Sequence, residues 1–469
     1  MKKFNIKVGF HILLLSLLCL SARPQSVTIT GKAPGAEGKT LFLSAPSDLI
    51  TFYEKKISQV IVDSNGHFEI KADISQPVYA SMSIGFHRVD LFLEPGRNYV
   101  IDIAAMNYRP SGESDPMLES QNLQVGFKEV DNNELNFLIE NFNTLYNNFL
   151  LKNFNDLYQN HMKAKVDTFR ISMGVEFPLT TNPYFANYIR YKIAGLEQLA
   201  QAYGKNQLAK RYFMDSPVLY GNVSYMDFFN DFFSKYFTAI SRSLKFTDYN
   251  TILKGPENYR RMMKALSADT VLKNPRLREL VLLRGMMEMY YTKDYDQPSI
   301  LNLLETVEKE SQYPEHKEIA SNMIRILTRL KPGTAAPAFR LEDRNKKMVS
   351  LEDFSGKPVV LCFWATYCQS CLSEMDLMKD MMAKYKDRVN FVSVSTDKEF
   401  LKMIYFLDLK KDYDWSFLFL GEQYDVLKDY DVRSYPYFVL IDEKGNIVSC
   451  PSDYPSAGLE NSLNKLLTR

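Results

Sequence analysis

The feature that most constrains this chain is a pair of cysteines, Cys368 and Cys371, that follows closely on a run of apolar residues. The run Val359–Trp364 reads VVLCFW, and an unbroken apolar run of this length is typical of a buried parallel strand. Residues 374–386, just after the pair, have a helical pattern. A helix N-terminus lowers the pKa of a thiol through its dipole and its free N–H groups. The pattern predicts thiol–disulfide exchange, with Cys368 as the exposed attacking thiol and Cys371 as the shielded resolving thiol.

Two other cysteine chemistries compete with exchange. A zinc site needs two further ligands, and all five histidines lie outside residues 333–469. Cys362 and Cys450 remain as candidate ligands, but Cys362 lies inside the predicted strand, and free cysteines usually pack as small buried hydrophobes. A cysteine–histidine nucleophile of the protease type has no histidine to use in this region. We therefore expect neither a metal nor a cofactor.

Charge and composition narrow the classes of function. The 469 residues include 57 Lys and Arg against 56 Asp and Glu, for a formal charge of +1. A balance this close removes the electrostatic argument for a nucleic-acid partner. Hydrophobic residues make up 46% of the chain, which is enough for several cores. The length suggests about three domains.

The N-terminal residues are typical of a secretory signal peptide. Three lysines accompany a short apolar run, residues 8–20, and small residues follow it. We therefore expect residues 1–22 to be a signal peptide and the mature chain to be exported to the periplasm or cell envelope. Cys19 raises a lipid anchor as the alternative, although Leu18 is not the small residue that a lipobox places before its cysteine.

Four regions with different patterns follow. Residues 27–105 carry alternating β-branched and aromatic residues, which predict an antiparallel β-sandwich. Residues 106–130 contain proline and glycine among polar residues and predict a linker. Residues 131–331 have apolar residues at helical spacing and predict an all-α region. Residues 333–469 alternate between strand and helix patterns, which predicts an α/β domain.

Two local signals are more specific. Asn65-Gly66 lies between two strand-like segments and is a strong signal for a hairpin turn. Asn274-Pro275 combines an N-cap residue with a first-turn proline, and it predicts the start of a helix that continues to about residue 291.

The C-terminal region resembles a known family. The lead-in at residues 333–339 and the sequence Phe-Trp-Ala-Thr at 363–366 are similar to the approach to the active site in exported TlpA/ResA-like thiol-disulfide oxidoreductases. Residues 432–442, VRSYPYFVLID, are similar to the segment that carries the family's cis-proline. The resemblance implies a thioredoxin fold over residues 333–469, with the two cysteines forming a redox-active disulfide.

The same resemblance assigns further site residues. Pro436 is the expected cis-proline facing the cysteines, and a cis bond there leaves backbone groups of Tyr435 free to pair with a substrate strand. Tyr367 replaces the family's common tryptophan before the first cysteine and is expected to contact the substrate. Glu374 matches the family's glutamate three residues after the second cysteine. It shares a helix face with Cys371, so its carboxylate can exchange a proton with that thiol.

These observations predict an exported thiol-disulfide oxidoreductase acting on envelope-protein thiols, as a reductase supplied by a membrane electron donor. A disulfide isomerase or chaperone is one alternative, because the appended domains can hold clients or form a homo-oligomer. A non-catalytic envelope scaffold with a silent thioredoxin domain is another. Residues 66–68 and 93–96 are similar to the β-domain that precedes such modules in multidomain Gram-negative envelope proteins. The client and the direction of electron flow do not follow from the sequence.

Overall fold

The computed structural model describes residues 24–85, 87–105, 121–128, 131–178, 182–237 and 247–468. The expected signal peptide with Cys19, and residues 106–120 of the expected linker, lie outside the described residues. Within those described ranges, no helix combines the length and the apolar character needed to cross a membrane.

The N-terminal region consists of two β-sheets that share one hydrophobic core. In β4 the side chains alternate strictly between solvent and core, as a strand with one buried face requires. One sheet has the order β4-β1-β7-β9 and the other β3-β2-β5-β6-β8. The strands are β1 (Gln25–Lys32), β2 (Thr40–Pro46), β3 (Glu54–Ile61), β4 (His67–Ile74), β5 (Val78–Ile84), β6 (His87–Leu93), β7 (Asn98–Ile103), β8 (Gln121–Asn122) and β9 (Val125–Lys128).

The strand pairing differs from a purely antiparallel sandwich. Each sheet contains one parallel pair, β1 with β7 and β6 with β8. The backbones of β1 and β7 approach closely at Gly31, where an ideal Cβ would lie 1.8 Å from the carbonyl oxygen of Ile101. Alternating apolar residues predict a strand and its buried face, but they do not predict which non-sequential strands meet.

The Asn65-Gly66 turn joins the two sheets instead of forming a hairpin within one sheet. Gly66 adopts a φ of 77°, and its amide donates a hydrogen bond to the carbonyl of Asp63 at 3.0 Å. The preceding β3 pairs with β2, whereas the following β4 pairs with β1. The predicted turn is confirmed, and the predicted pairing across it is wrong.

Part of the expected linker belongs to the sandwich. The strand β9 pairs antiparallel with β7, and Val125 and Phe127 pack against the shared core. The linker prediction over 106–130 is therefore wrong for the strand residues within 121–128. Two apolar residues in a polar segment were too weak a signal for a strand.

All of the regular secondary structure described in the middle region is helical. A π-helical turn, Lys210–Met214, follows α4. The helices are α1 (Leu135–Tyr158), α2 (Lys163–Glu176), α3 (Pro183–Leu199), α4 (Lys205–Ala209), α5 (Val223–Phe232), α6 (Thr247–Lys254), α7 (Asn258–Leu266), α8 (Pro275–Tyr290), α9 (Gln297–Glu310) and α10 (Pro314–Thr328). The predicted cap of α8 is confirmed, because the Asn274 side chain accepts hydrogen bonds from the amides of Arg276 and Leu277.

A loop of the β-region is inserted into the helical core. Leu49 and Ile50, between β2 and β3, are 5% and 9% exposed and belong to the same apolar cluster as the helices. The Asn230 amide donates to the carbonyl of Leu49 at 2.8 Å, and the Asn322 amide donates to the carboxylate of Asp48 at 2.8 Å. These contacts fix the β-region to the helical region.

The C-terminal region is a seven-stranded sheet with helices on its faces. Its order is β11-β10-β14-β13-β12-β15-β16. The elements are β10 (Arg340–Asp343), β11 (Met348–Ser350), β12 (Val359–Trp364), α11 (Gln369–Tyr385), β13 (Asn390–Ser395), α12 (Phe400–Leu409), β14 (Ser416–Phe419), α13 (Asp425–Asp429), β15 (Tyr437–Ile441), β16 (Ile447–Ser449) and α14 (Leu459–Leu467), with a 3-10 turn at Pro455–Ala457 before α14.

The strand β12 lies at the centre of the C-terminal core and is buried along its whole length. It pairs in parallel with β13 and antiparallel with β15. Cys362 and Trp364 face one apolar cluster together with α11, whereas Leu361 and Phe363 face the cluster on the other side. The predicted buried strand is confirmed, and its carboxyl end leads directly to the two cysteines.

Candidate active site

The two cysteines form a disulfide at the start of α11. The sulfur atoms of Cys368 and Cys371 are 2.06 Å apart. Cys368 is the N-cap residue of α11, and its Sγ accepts a hydrogen bond from the amide of Cys371 at 3.2 Å. Cys371 has no exposed surface, while Cys368 is partly exposed. This is the asymmetry that an attacking and a resolving thiol require.

The predicted cis-proline is confirmed, because the Tyr435–Pro436 peptide bond is cis. It lies immediately before β15. Tyr437, the first residue of β15, pairs with Phe363 of β12, the strand that leads to the two cysteines. Tyr435 and Cys368 pack against the same apolar cluster. The fold therefore places the cis peptide bond just ahead of the strand that is adjacent to β12, which leads into the disulfide.

Tyr367 and Glu374 lie on either side of the disulfide in sequence. The Tyr367 side chain is 60% exposed and directly precedes Cys368. The Glu374 carboxylate accepts hydrogen bonds from Ser456, from its amide at 3.0 Å and from its hydroxyl at 2.6 Å. The sequence did not indicate Ser456, which comes from the 3-10 turn before α14.

A buried aspartate beside the active-site turn was also missed. Asp397 is 3% exposed and follows β13, the parallel neighbour of β12. Its carboxylate accepts hydrogen bonds from the amide and the hydroxyl of Thr366, two residues before Cys368. One signal was available, since the carboxyl ends of adjacent parallel strands lie at the same edge of a sheet.

Comparisons with known proteins match the same region. The profile of the AhpC/TSA family matches residues 332–450. The chain is 36% identical over 121 residues to the thioredoxin-like protein YneN of Bacillus subtilis, covering 25% of this chain and 69% of that protein. It is 31% identical over 137 residues to the thiol-disulfide oxidoreductase ResA of Bacillus thuringiensis, covering 29% of this chain and 78% of that protein.

The chain belongs to the ResA-like thiol-disulfide oxidoreductases. The thioredoxin-like fold expected for its C-terminal region is confirmed. A solved thiol:disulfide interchange protein from Bacteroides sp. is 29% identical, with a TM-score of 0.28, covering 30% of this chain and 93% of that protein. The Cys368–Cys371 disulfide of this ResA-like oxidoreductase lies within the residues 332–450 that the family profile matches.

The other two described cysteines of the oxidoreductase are free thiols, of which Cys362 is buried and Cys450 is half-buried. Cys362 is buried within β12, and this burial is the main reason that the pKa of its thiol is raised. The negative charge of the Glu374 carboxylate raises it further. Burial likewise raises the pKa of Cys450, whose Sγ lies 3.5 Å from the hydroxyl of Tyr437. Among the described residues, no group of three or more His, Cys, Asp or Glu side chains is arranged to hold a metal ion.

These differences predict the order of alkylation in the reduced, folded oxidoreductase. Near neutral pH we expect iodoacetamide to modify Cys368 first, with Cys362 slower by more than about a hundredfold, because the thiolate is the nucleophile and burial disfavours it. Raising the pH should accelerate the reaction at Cys450, since its thiol is then more often ionised. Peptide mass spectrometry of timed samples measures each rate, and denatured protein is the control. Equal rates at Cys362 and Cys368 in folded protein would contradict the assignment.

Proposed function

We propose that this thiol-disulfide oxidoreductase is exported and reduces disulfide bonds in other proteins of the cell envelope. The observation that carries the proposal is the Cys368–Cys371 disulfide at a helix N-terminus, with one sulfur accessible and the other buried. The signal-like residues 1–22 support export. Reduction is the direction that the resemblance to the TlpA/ResA-like family implies.

The reaction transfers two electrons from the enzyme's thiols to a substrate disulfide. The thiolate of Cys368 attacks one substrate sulfur, forms a mixed disulfide and releases the other substrate sulfur as a thiolate. The thiolate of Cys371 then attacks the Sγ of Cys368, breaks the mixed disulfide and releases the second substrate thiol. The enzyme is left with the Cys368–Cys371 disulfide, and a protein dithiol of the membrane must reduce it before the next cycle.

The segment around the cis peptide bond holds the substrate in this proposal. Pro436 has no amide hydrogen, and it precedes the strand β15 beside the disulfide. The backbone of Tyr435 pairs with an extended substrate segment, which aligns the substrate sulfur with Cys368. Tyr367, exposed beside Cys368, adds an aromatic contact surface for the client.

Glu374 is proposed to take the proton from Cys371 when that thiol resolves the mixed disulfide. The two residues are three positions apart in α11 and therefore lie on the same side of the helix. The two hydrogen bonds from Ser456 hold the carboxylate in place. The field of this carboxylate also contributes to the raised pKa of Cys362, which lies in the same apolar cluster as Cys371.

Trapping tests the reaction and its location together. In a Gram-negative host, the Cys371→Ser variant should accumulate disulfide-linked adducts in the envelope fraction, because the mixed disulfide has lost its resolving thiol. Non-reducing gels and mass spectrometry measure the adducts, and dithiothreitol should cleave them by reducing the mixed disulfide.

The matched controls are single cysteine variants. Cys368→Ser should form no adducts, and Cys450→Ser should trap nothing above the wild type. Adducts formed equally by Cys368→Ser would place the reactive thiol elsewhere. Adducts confined to the cytosol would contradict export.

The direction of electron flow has its own test. For a reductase we expect the Cys368–Cys371 pair to have a reduction potential near that of thioredoxin, about −270 mV. Alkylation after equilibration in defined thiol buffers measures this value. A potential near about −120 mV, as for a strong oxidant, would contradict reduction and favour oxidation or isomerisation. Failure to form the disulfide in any buffer would favour the scaffold function.

Removal of the negative charge of Glu374 should slow only the second step, in which Cys371 resolves the mixed disulfide. In Glu374→Gln we expect resolution of the mixed disulfide to fall by about tenfold or more, since general base catalysis is lost, while the attack by Cys368 changes little. Stopped-flow measurements with a labelled peptide disulfide separate the two steps. Asp380→Asn, an exposed charge on the same helix, should behave like wild type. A wild-type rate of resolution in Glu374→Gln would contradict the proton transfer to Glu374.

A further inference from the structure

We propose that Asp397 is a positioning residue for the exchange reaction. It fixes the backbone of Thr366 and thereby holds the sulfur of Cys368 at the N-terminus of α11. The inference rests on the proposed roles of the two cysteines, and it adds a residue that neither the motif nor the resemblance indicates. Asp397 acts through Thr366, so it is distinct from the groups that touch the substrate.

The contacts of Asp397 reach the turn between β12 and α11. The amide of Thr366 donates to both carboxylate oxygens, at 3.2 and 3.1 Å, and its hydroxyl donates to Oδ1 at 2.7 Å. The hydroxyl of Ser395 donates to Oδ2 at 2.7 Å. The carboxylate therefore joins the end of β13 to the active-site turn through both of its oxygens.

The residue before Asp397, Thr396, holds the start of the same turn at Trp364. Thr396 donates two hydrogen bonds to the carbonyl of Trp364, from its amide at 2.8 Å and from its hydroxyl at 3.0 Å. Together, Thr396 and Asp397 fix the backbone on both sides of Ala365. They extend the parallel pairing of β12 and β13 beyond the end of the strands.

A carboxylate is costly to bury unless its oxygens are well hydrogen-bonded. Asp397 is 3% exposed, and its carboxylate accepts hydrogen bonds from Thr366 in the turn and from Ser395 at the end of β13. Movement of Thr366 would remove both donors to Oδ1 and leave Oδ2 with the hydroxyl of Ser395 alone. The burial of Asp397 therefore restrains Thr366 strongly.

The restraint passes to Cys368 through a short chain of atoms. Cys368 follows Thr366 by two residues, and its amide donates to the carbonyl of Ala365 at 3.1 Å. Its Sγ in turn accepts from the amide of Cys371 at the start of α11. A thiolate gains from a helix N-terminus only when the free N–H groups point at the sulfur, so the turn geometry controls reactivity.

A purely electrostatic role makes the opposite prediction. A negative charge near Cys368 disfavours its thiolate, so neutralising Asp397 would make Cys368 more reactive. If Asp397 positions the turn, the same substitution makes Cys368 less reactive. The side-chain NH2 of an asparagine is a donor, and it would face a donor of Thr366 or of Ser395, so one of these hydrogen bonds would be lost. The sign of the effect therefore separates the two roles.

The experiment compares Asp397→Asn with Thr366→Val in the full-length protein. We expect Asp397→Asn to lower the rate of Cys368 alkylation and the kcat/KM for a peptide disulfide by about tenfold, and to shift the reduction potential. Thr366→Val keeps the carboxylate and the backbone hydrogen bond, so it should change both rates in the same direction by a smaller factor. Asp387→Asn, an exposed aspartate after α11, should match wild type.

Each outcome gives a clear answer. An increase in reactivity for Asp397→Asn would overturn positioning in favour of the charge effect. Asp397→Asn could instead keep the wild-type rates and reduction potential and show only a lower melting temperature. Asp397 would then have a structural role alone, and the inference would be overturned. If Asp397→Asn does not fold, Thr366→Val decides, since unchanged rates there contradict positioning. If wild type itself does not cycle its disulfide, the proposed function has failed, independently of Asp397.

Discussion

The burial of β12 between two apolar layers is the constraint on which the C-terminal region depends. Alternate side chains of this strand enter separate clusters on the two faces of the sheet, so the strand cannot shift in register without exposing both sets. Its carboxyl end then has a fixed position, and the turn that follows places Cys368 at the N-cap of α11. The reactive sulfur is located by core packing, several residues away from the chemistry.

The parts of this structure that the sequence could predict are those with a strong local pattern. The apolar run of β12, the N-cap at Asn274 and the cysteine spacing are local, and the structure has each of them. The cis bond before Pro436 followed from resemblance, because no propensity distinguishes it from a trans turn proline. The contacts of Glu374 with Ser456 and of Asp397 with Thr366 join residues that are distant in the chain, and no periodicity encodes such pairs. The parallel pairing of β1 with β7 was missed for the same reason.

The three regions are also joined by contacts that the sequence could not indicate. Leu49 and Ile50 occupy the helical core although they belong to a loop of the β-region. Lys56 of β3 forms an ion pair with Asp425 of α13 at 2.9 Å, and a cleft of about 910 Å³ lies between the β-region, α10 and the segment around α13. Apolar contacts thus hold the first two regions together, whereas exposed charges, which contribute little to stability, contact the thioredoxin-like region.

The complete burial of Cys371 has a consequence for competition among thiols. Of the two disulfide sulfurs, only that of Cys368 is open to a small thiol in solution, and Cys371 competes intramolecularly with any adduct that forms there. The Cα atoms of the two cysteines are 5.2 Å apart, so the effective concentration of Cys371 at that sulfur far exceeds that of a dissolved thiol. With Cys371 as the proposed resolving thiol, we expect small-molecule adducts to be short-lived and the enzyme to return to its internal disulfide.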